Sequence, residues 1–163
     1  MAVEGPLLRL AMRRWATGVT VVTTRTPAGF HGITVNSFTS LSLDPPLCLI
    51  CIDRRARAHE EIARAGAFAV NILSDQHEEI AARFAGRRPD LADPFTGLAL
   101  TAAPSGAPVF AGVVSYLDCA VHEQLAGGDH TIFVGRVAHA AAGPEDERPL
   151  LFYGGTFQRV AVD

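Results

Sequence analysis

The sequence predicts a mainly β fold with peripheral α-helices, arranged as an antiparallel barrel. Three observations carry that prediction. Val- and Thr-rich runs punctuated by Gly and Pro recur along most of the chain, as at Val19–Arg25 and Thr131–Ala140. Only three short stretches carry helical spacing of apolar residues. No regular alternation of strand and helix and no GxGxxG turn is present, which disfavours a doubly wound parallel sheet.

The elements follow in order. Leu7, Leu8, Ala11, Met12 and Trp15 recur at helical spacing, with Gly18 placed to stop the helix. Val19–Arg25 is a strand that turns through Pro27-Ala28-Gly29 into a second strand at His31–Ser37. After Pro45-Pro46 the apolar run Leu47–Ile52 is too continuous for a half-wet strand, so it predicts one buried on both faces. Ala56–Ala65 is a short helix closed by Gly66, and Phe68–Leu73 another strand. Ser74 is a fitting N-cap for a helix that carries Ile80 and Phe84 and ends before Gly86. Residues 86–108 form a Pro-rich excursion, a lid or subunit contact, with one short strand at Leu98–Thr101. Val113–Gln124 and Thr131–Ala140 form a long hairpin turning at Gly127-Gly128. Leu150–Val160 closes the chain as a strand with a bulge at Gly154-Gly155.

Size and composition bound the function. A chain of 163 residues with 48% hydrophobic content suits a single domain spanning 1–163, with a sizeable core or additional surface hidden in an oligomer. The net charge of −3 argues against nucleic acid as a main partner. All 14 basic residues are arginine, so Schiff-base chemistry has no lysine nucleophile and a P-loop no lysine. Arginines among the amino-terminal leucines break any secretory core, and no run approaches the ~20 apolar residues of a membrane span. Three cysteines, an odd number, fit reduced thiols in a cytoplasmic protein.

The segment Gly32–Asp53 is the most informative. Thr34, Asn36, Ser37, Thr39, Ser40 and Ser42 precede the apolar strand, and Arg54, Arg55 and Arg57 follow it. Neutral hydrogen-bonding groups beside an arginine clasp suit a phosphorylated heterocycle, although the hydroxyls equally make a self-satisfied turn. The start of the helix at Ala56–Arg57 adds orphan N–H groups and a favourable dipole for an anion. Cys48 and Cys51 form a CxxC, but side chains three apart on a strand face opposite ways, and zinc would need more ligands than the chain supplies at suitable spacing. No metal site is expected.

Several ordered motifs carry a family resemblance over roughly residues 8–160. Gly18–Thr23, Thr34-Val35-Asn36-Ser37-Phe38, Ser42–Leu47, Cys51-Ile52-Asp53, Gly128-Asp129-His130 with Gly135, and Leu151–Phe157 resemble the flavin reductase family of short NAD(P)H:flavin oxidoreductases. The resemblance implies an antiparallel split β-barrel that binds FMN or FAD, usually as a homodimer. It also implies NADH or NADPH as hydride donor and a separate flavin-dependent monooxygenase as recipient of reduced flavin. The implied flavin contacts are Thr34 (through its backbone), Val35, Asn36, Ser37, Ser42, Cys51, Ile52, Asp53, Ala56, Arg57, Arg83 and Phe84, with Arg57 on the phosphate. Family members often carry a hydroxyl residue near position 56, where this chain has Ala56, leaving more to backbone N–H and Arg57.

His130 is implied to lie beside the nicotinamide, as an orienting group and proton source; a structural role is the alternative for a lone histidine at a Gly-Asp turn. Tyr153 covers the nicotinamide or packs on the sheet. Two rival functions share the same elements: a flavin-bound electron carrier that never meets NAD(P)H, and a non-catalytic flavin- or haem-binding module. Gly128-Asp129-His130 and Tyr153 favour the reductase, since a carrier has no use for a nicotinamide platform.

Overall fold

The computed structural model describes residues 3–161. Among the described residues twelve strands form three sheets, accompanied by three α-helices and one 3-10 turn. The principal sheet has seven strands in the order β3-β2-β6-β9-β10-β5-β4, and every pairing in it is antiparallel. Its members are β2 (Thr20–Thr26), β3 (Gly29–Val35), β4 (Phe38–Leu43), β5 (Pro46–Asp53), β6 (Ala67–Ile72), β9 (Ser115–Gly127) and β10 (His130–Ala142). A three-stranded sheet joins β1 (Thr17–Gly18), β11 (Leu150–Tyr153) and β12 (Thr156–Arg159). A two-stranded ribbon, β7 (Leu100–Ala102) with β8 (Pro108–Phe110), lies inside the Pro-rich excursion.

The expected barrel is not formed. Closure requires the outermost strands to exchange backbone hydrogen bonds, and here β3 and β4 are the two free ends of an open sheet. They are joined by only Asn36 and Ser37, yet they diverge, because Ser37 O accepts the Cys51 amide at 3.1 Å and hands the chain to β5. Helix α3 (Glu78–Phe84) covers β3 instead of a strand: Thr34 Oγ1 donates to Ala81 O at 2.8 Å.

Other local expectations are also corrected. Strand β5 is not buried on both faces; burial alternates, with Cys48, Ile50 and Ile52 in the core and Leu47, Leu49, Cys51 and Asp53 half-buried. Gly154-Gly155 is no bulge but the two-residue turn of the β11–β12 hairpin, with φ of +65° and +94°, as a type I′ turn requires. Helix α1 (Gly5–Met12) ends before Trp15, because Arg14 and Trp15 bond tightly to Ala11 and Met12 and Gly154 N donates to Arg13 O. Gly18, expected to stop that helix, lies in β1. Helix α2 (Arg57–Ala65) ends as expected at Gly66, in the left-handed conformation at φ +66°.

Two clusters fill the core. One gathers Val22, Ile50, Ile52, Ile62, Phe68 and Phe133 between the sheet and α2. The other gathers Val19, Phe84, Phe95, Phe110 and Leu150 around α3 and the excursion. Asn71, fully buried, ties the excursion to the sheet: its Nδ2 donates to Val21 O at 3.1 Å and its Oδ1 accepts the Phe110 amide at 3.1 Å. No helix among the described residues is long and apolar enough to cross a membrane.

Candidate functional site

The end of the β4–β5–β10 ladder brings the first group of residues together. Register places His130 opposite Asp53 and Ile132 opposite Cys51, with Ser37 bonded to Cys51 on the other side. Strand alternation puts Cys51, Asp53 and His130 on the half-exposed face, while Ile52 points into the core and can offer a ligand only its backbone. The β9–β10 turn at Gly128-Asp129 docks here through the Arg54 amide, which donates to Asp129 O at 3.1 Å.

His130 has a fixed partner. Its Nδ1 lies 2.7 Å from Asp129 Oδ1, and a carboxylate can only accept, so the proton sits on Nδ1 and Nε2 is the ring's other polar atom. That hydrogen bond, then the histidine's charge, holds the Asp129 carboxyl below its ordinary 3.8. Asp53 is claimed by Arg55, which donates from its backbone at 2.8 Å and from Nε and Nη2 at 3.1 and 2.8 Å. These bonds hold the Asp53 carboxyl well below the usual aspartate range. Burial raises the Cys51 thiol, so it stays protonated and acts as an apolar wall. Cys48 faces the other way, with its Sγ 3.6 Å from Cys119 Sγ. Among the described residues no His, Cys, Asp and Glu group is arranged to hold a metal.

Beside this ladder, α2 begins. Ala56 is its N-cap in extended conformation and has no side chain to cap the first-turn amides. Arg57 follows with 77% of its side chain exposed; its Nε is 3.9 Å from Glu61 Oε1. Glu61 is buried and also faces Arg64 at 3.4 Å and His31 at 3.7 Å. The first turn of α2 therefore combines the absence of a side-chain cap with a largely exposed guanidinium, an arrangement suited to an anion.

The second group surrounds Asn36, the exposed residue at the β3–β4 junction. Thr34 and Ser37 spend their hydroxyls inside the protein, on Ala81 O and Cys51 O, each at 2.8 Å. What remains for a ligand is the Asn36 amide and the backbone. Three clefts meet at Asn36. One of about 160 Å³ is lined by Thr34, Val35, Arg87, Phe152 and Phe157. A second of about 230 Å³ is lined by Arg9, Arg13, Trp15 and Tyr153. A third of about 390 Å³ runs past Trp15, Thr17 and Phe38. Thr17 Oγ1 is buried there without a hydrogen-bond partner.

The expected site residues thus fall into two adjoining sets. Cys51, Asp53, Ala56, Arg57 and His130 share the ladder end; Thr34, Val35, Asn36 and Tyr153 border the clefts, and Ser37 links the sets. Ser42 lies further along β4, opposite Leu47. Arg83 reaches Thr96 O at 2.9 Å and Phe84 packs inward, its ring centroid 4.7 Å from Phe95, so both brace the excursion. Sequence reasoning missed Asp129 as the partner of His130, and Arg13, Arg87, Phe152 and Phe157 as cleft walls. The sequence signals for them were the Gly128-Asp129-His130 motif, which contains Asp129, and the closing motif around Phe152 and Phe157.

The donor set fits an anionic, planar heterocycle. No carboxylate lines any of the three clefts; their charges are Arg9, Arg13 and Arg87, and their walls are aromatic or neutral. Arg87 itself sits over the Phe157 ring at 5.1 Å.

Comparison with known proteins gives concordant results. The model of the flavin reductase like domain matches residues 12–161. An NADH-dependent FAD reductase from Streptomyces globisporus is 43% identical over 97% of this chain and 89% of its own length. The reductase subunit of a flavin-dependent monooxygenase from Rhodococcus jostii is 36% identical over 99% of this chain and 81% of its own. Among solved structures, the Streptomyces globisporus NADH:FAD oxidoreductase in complex with NAD and FAD fragments superposes with a TM-score of 0.89 at 40% identity, covering 100% of this chain and 99% of that one.

Proposed function

The chain belongs to the flavin reductase-like family, and we propose from that footing that it is an NAD(P)H:flavin oxidoreductase supplying reduced flavin to a separate monooxygenase. The observation that carries this reading is the convergence of carboxylate-free clefts on Asn36, one strand pairing away from β5, which leads into the Arg57 cluster and pairs in turn with the strand of His130. Bound FMN or FAD supplies the hydride acceptor and NADH or NADPH the donor, so the protein's task is placement.

Backbone groups of Thr34 and Val35, the Asn36 amide and the backbone at Ser37 and Ile52 hold the flavin edge, with the neutral Cys51 thiol as wall. Ser42, Arg83 and Phe84 support this surface from outside it. The uncapped amides after Ala56, together with Arg57, hold the flavin phosphate. Asp53, neutralised by Arg55, keeps the β5–α2 loop closed without presenting an unpaired negative charge to that phosphate. His130, fixed by Asp129, orients the nicotinamide through Nε2, and Tyr153 excludes water above it.

A second copy completes the surface. Leu7, Leu8, Leu10, Met12 and Trp15 of the amino-terminal segment are exposed, as is Leu43 at 90%, a larger apolar display than a monomer usually carries. A two-fold homodimer would cover it.

The test is anaerobic. Flavin-loaded protein mixed with NADH or NADPH is expected to lose its oxidised-flavin absorbance at a rate set by the protein. Retention of oxidised flavin with both nucleotides would leave a flavin-bound electron carrier as the function.

A further inference from the structure

One side-chain hydrogen bond joins the two ends of the site from behind. His59 stands in the first turn of α2, two residues after Arg57, and its Nε2 lies 2.8 Å from Oγ1 of Thr131, the residue after His130 on β10. We propose that His59 is a positioning residue for flavin reduction, holding the Arg57 end of α2 and the His130 end of β10 at a fixed separation. The proposal rests on the flavin reading above and adds to it a residue that need touch neither cofactor.

Three observations carry it. Side chains alternate along β10, so Thr131 and His130 leave the strand on opposite faces. Thr131 is buried and pairs with the core residue Ile52, whereas His130 pairs with Asp53. His59 therefore grips the strand directly behind His130. The grip is also firmly seated. Its ring packs edge-on against the fully buried Phe133, with centroids 5.3 Å apart, and Ala58 and Ile62 on either side of it in α2 belong to the same core cluster.

The third observation is that the bond closes a ring. Asp53 O accepts the Ala56 amide at 3.0 Å, and Ala56 O accepts the His59 amide at 2.9 Å. The His59 side chain then meets Thr131, whose strand partner Ile52 precedes Asp53. Removing the side-chain link leaves the first turn of α2 without a hydrogen bond to β10 among the described residues. A flavin held by its phosphate at α2 and a nicotinamide held by His130 on β10 are brought to reacting distance by whatever fixes α2 to β10. Hydride transfer is sensitive to that distance, since a misplacement of about 1 Å can cost on the order of a hundredfold.

The test compares wild type with His59→Ala, His59→Gln, Thr131→Val and the double variant His59→Ala/Thr131→Val. Three quantities are measured: thermal stability, dissociation constants for FMN and riboflavin, and anaerobic single-turnover reduction at saturating FMN with the nucleotide the wild type uses. His59→Ala and Thr131→Val should each raise the Kd for FMN by about fivefold, as the loss of one hydrogen bond does. Riboflavin, which makes no use of the phosphate end, should change by less than about twofold. Reduction should slow by about tenfold in each. The double variant should be no worse than either single, because both remove the same bond. His59→Gln should recover most of the loss: its amide can donate or accept, and its terminal atoms stand as many bonds from Cβ as Nε2 does. Should His59→Ala fail to fold, Thr131→Val and His59→Gln carry the same comparison.

Lower stability with normal reduction and an unchanged preference for FMN over riboflavin would overturn the proposal, leaving His59 a fastening of helix to sheet. So would additive losses in the double variant, or a glutamine variant as slow as the alanine one. A wild type that binds no flavin, or whose bound flavin neither nucleotide reduces, refutes the reductase reading beneath it instead.

Discussion

Replacing Arg57 by alanine tests the proposed phosphate end of the site. Within the protein the guanidinium has one close acidic partner among the described residues, Glu61 Oε1 at 3.9 Å, and it is 77% exposed. An exposed pair of that length contributes about 0–1 kcal/mol, and Glu61 keeps Arg64 and His31 around it, so folding stability should change by about 0.5 kcal/mol or less. A hydrogen bond to a charged group contributes about 1.5–3 kcal/mol. Solvent around Arg57 favours the lower end, about 1.5 kcal/mol, or roughly a tenfold rise in Kd for FMN. Riboflavin has no phosphate and should bind the variant as it binds the wild type. Arg57→Lys should recover only part of the loss, because a point charge cannot reproduce the planar fork. Equilibrium titration of FMN and riboflavin against wild type and both variants measures this directly. Equal losses for FMN and riboflavin would show that Arg57 acts on the ring or on folding, and the phosphate assignment would fail.

Other consequences can be checked on single variants. A Cβ at Gly135 would sit 2.6 Å from Phe68 Cζ and 2.9 Å from Cys119 Cβ, so Gly135→Ala should destabilise the fold by about 1–3 kcal/mol in thermal unfolding, while Gly18→Ala, with open space around it, serves as control. Light scattering should give about twice 17.3 kDa, and a fully active monomer at micromolar concentration would remove the homodimer. Asp53 has a folded pKa depressed by Arg55, so its contribution to stability is present above its ordinary 3.8 and is lost as pH falls through the depressed value. Asp53→Asn should therefore flatten the acid limb of the stability profile; an unchanged limb would contradict the pairing.

Much of the strand inventory was legible in the sequence, because Val and Thr runs between Gly and Pro are local signals. Sheet closure was not, since it depends on which distant edges pair. The two-residue link at Asn36-Ser37 looks like any tight connection until Ser37 is seen to bond Cys51 instead of turning back on β3. Strand β5 misled for a related reason. Leu47, Leu49 and Cys51 are apolar yet half-buried, so the run looked two-sided when only one of its faces is packed into the core. In the site, the Gly128-Asp129-His130 motif marked the turn, but its position opposite Asp53 is a matter of register. The arginines and aromatics that wall the clefts come from both ends of the chain and from its middle, and no local pattern announces such a meeting.

The reductase reading depends most on His130. If Asp129 holds it to orient the nicotinamide, His130→Ala should preserve thermal stability and FMN affinity while lowering the rate of NAD(P)H-driven flavin reduction and kcat/KM for the nucleotide. Single-turnover reduction of bound flavin, measured anaerobically on wild type and variant, is the decisive measurement. The account predicts slowed reduction on a folded, flavin-loaded protein; unchanged reduction kinetics, with loss appearing instead in stability or flavin binding, would contradict it.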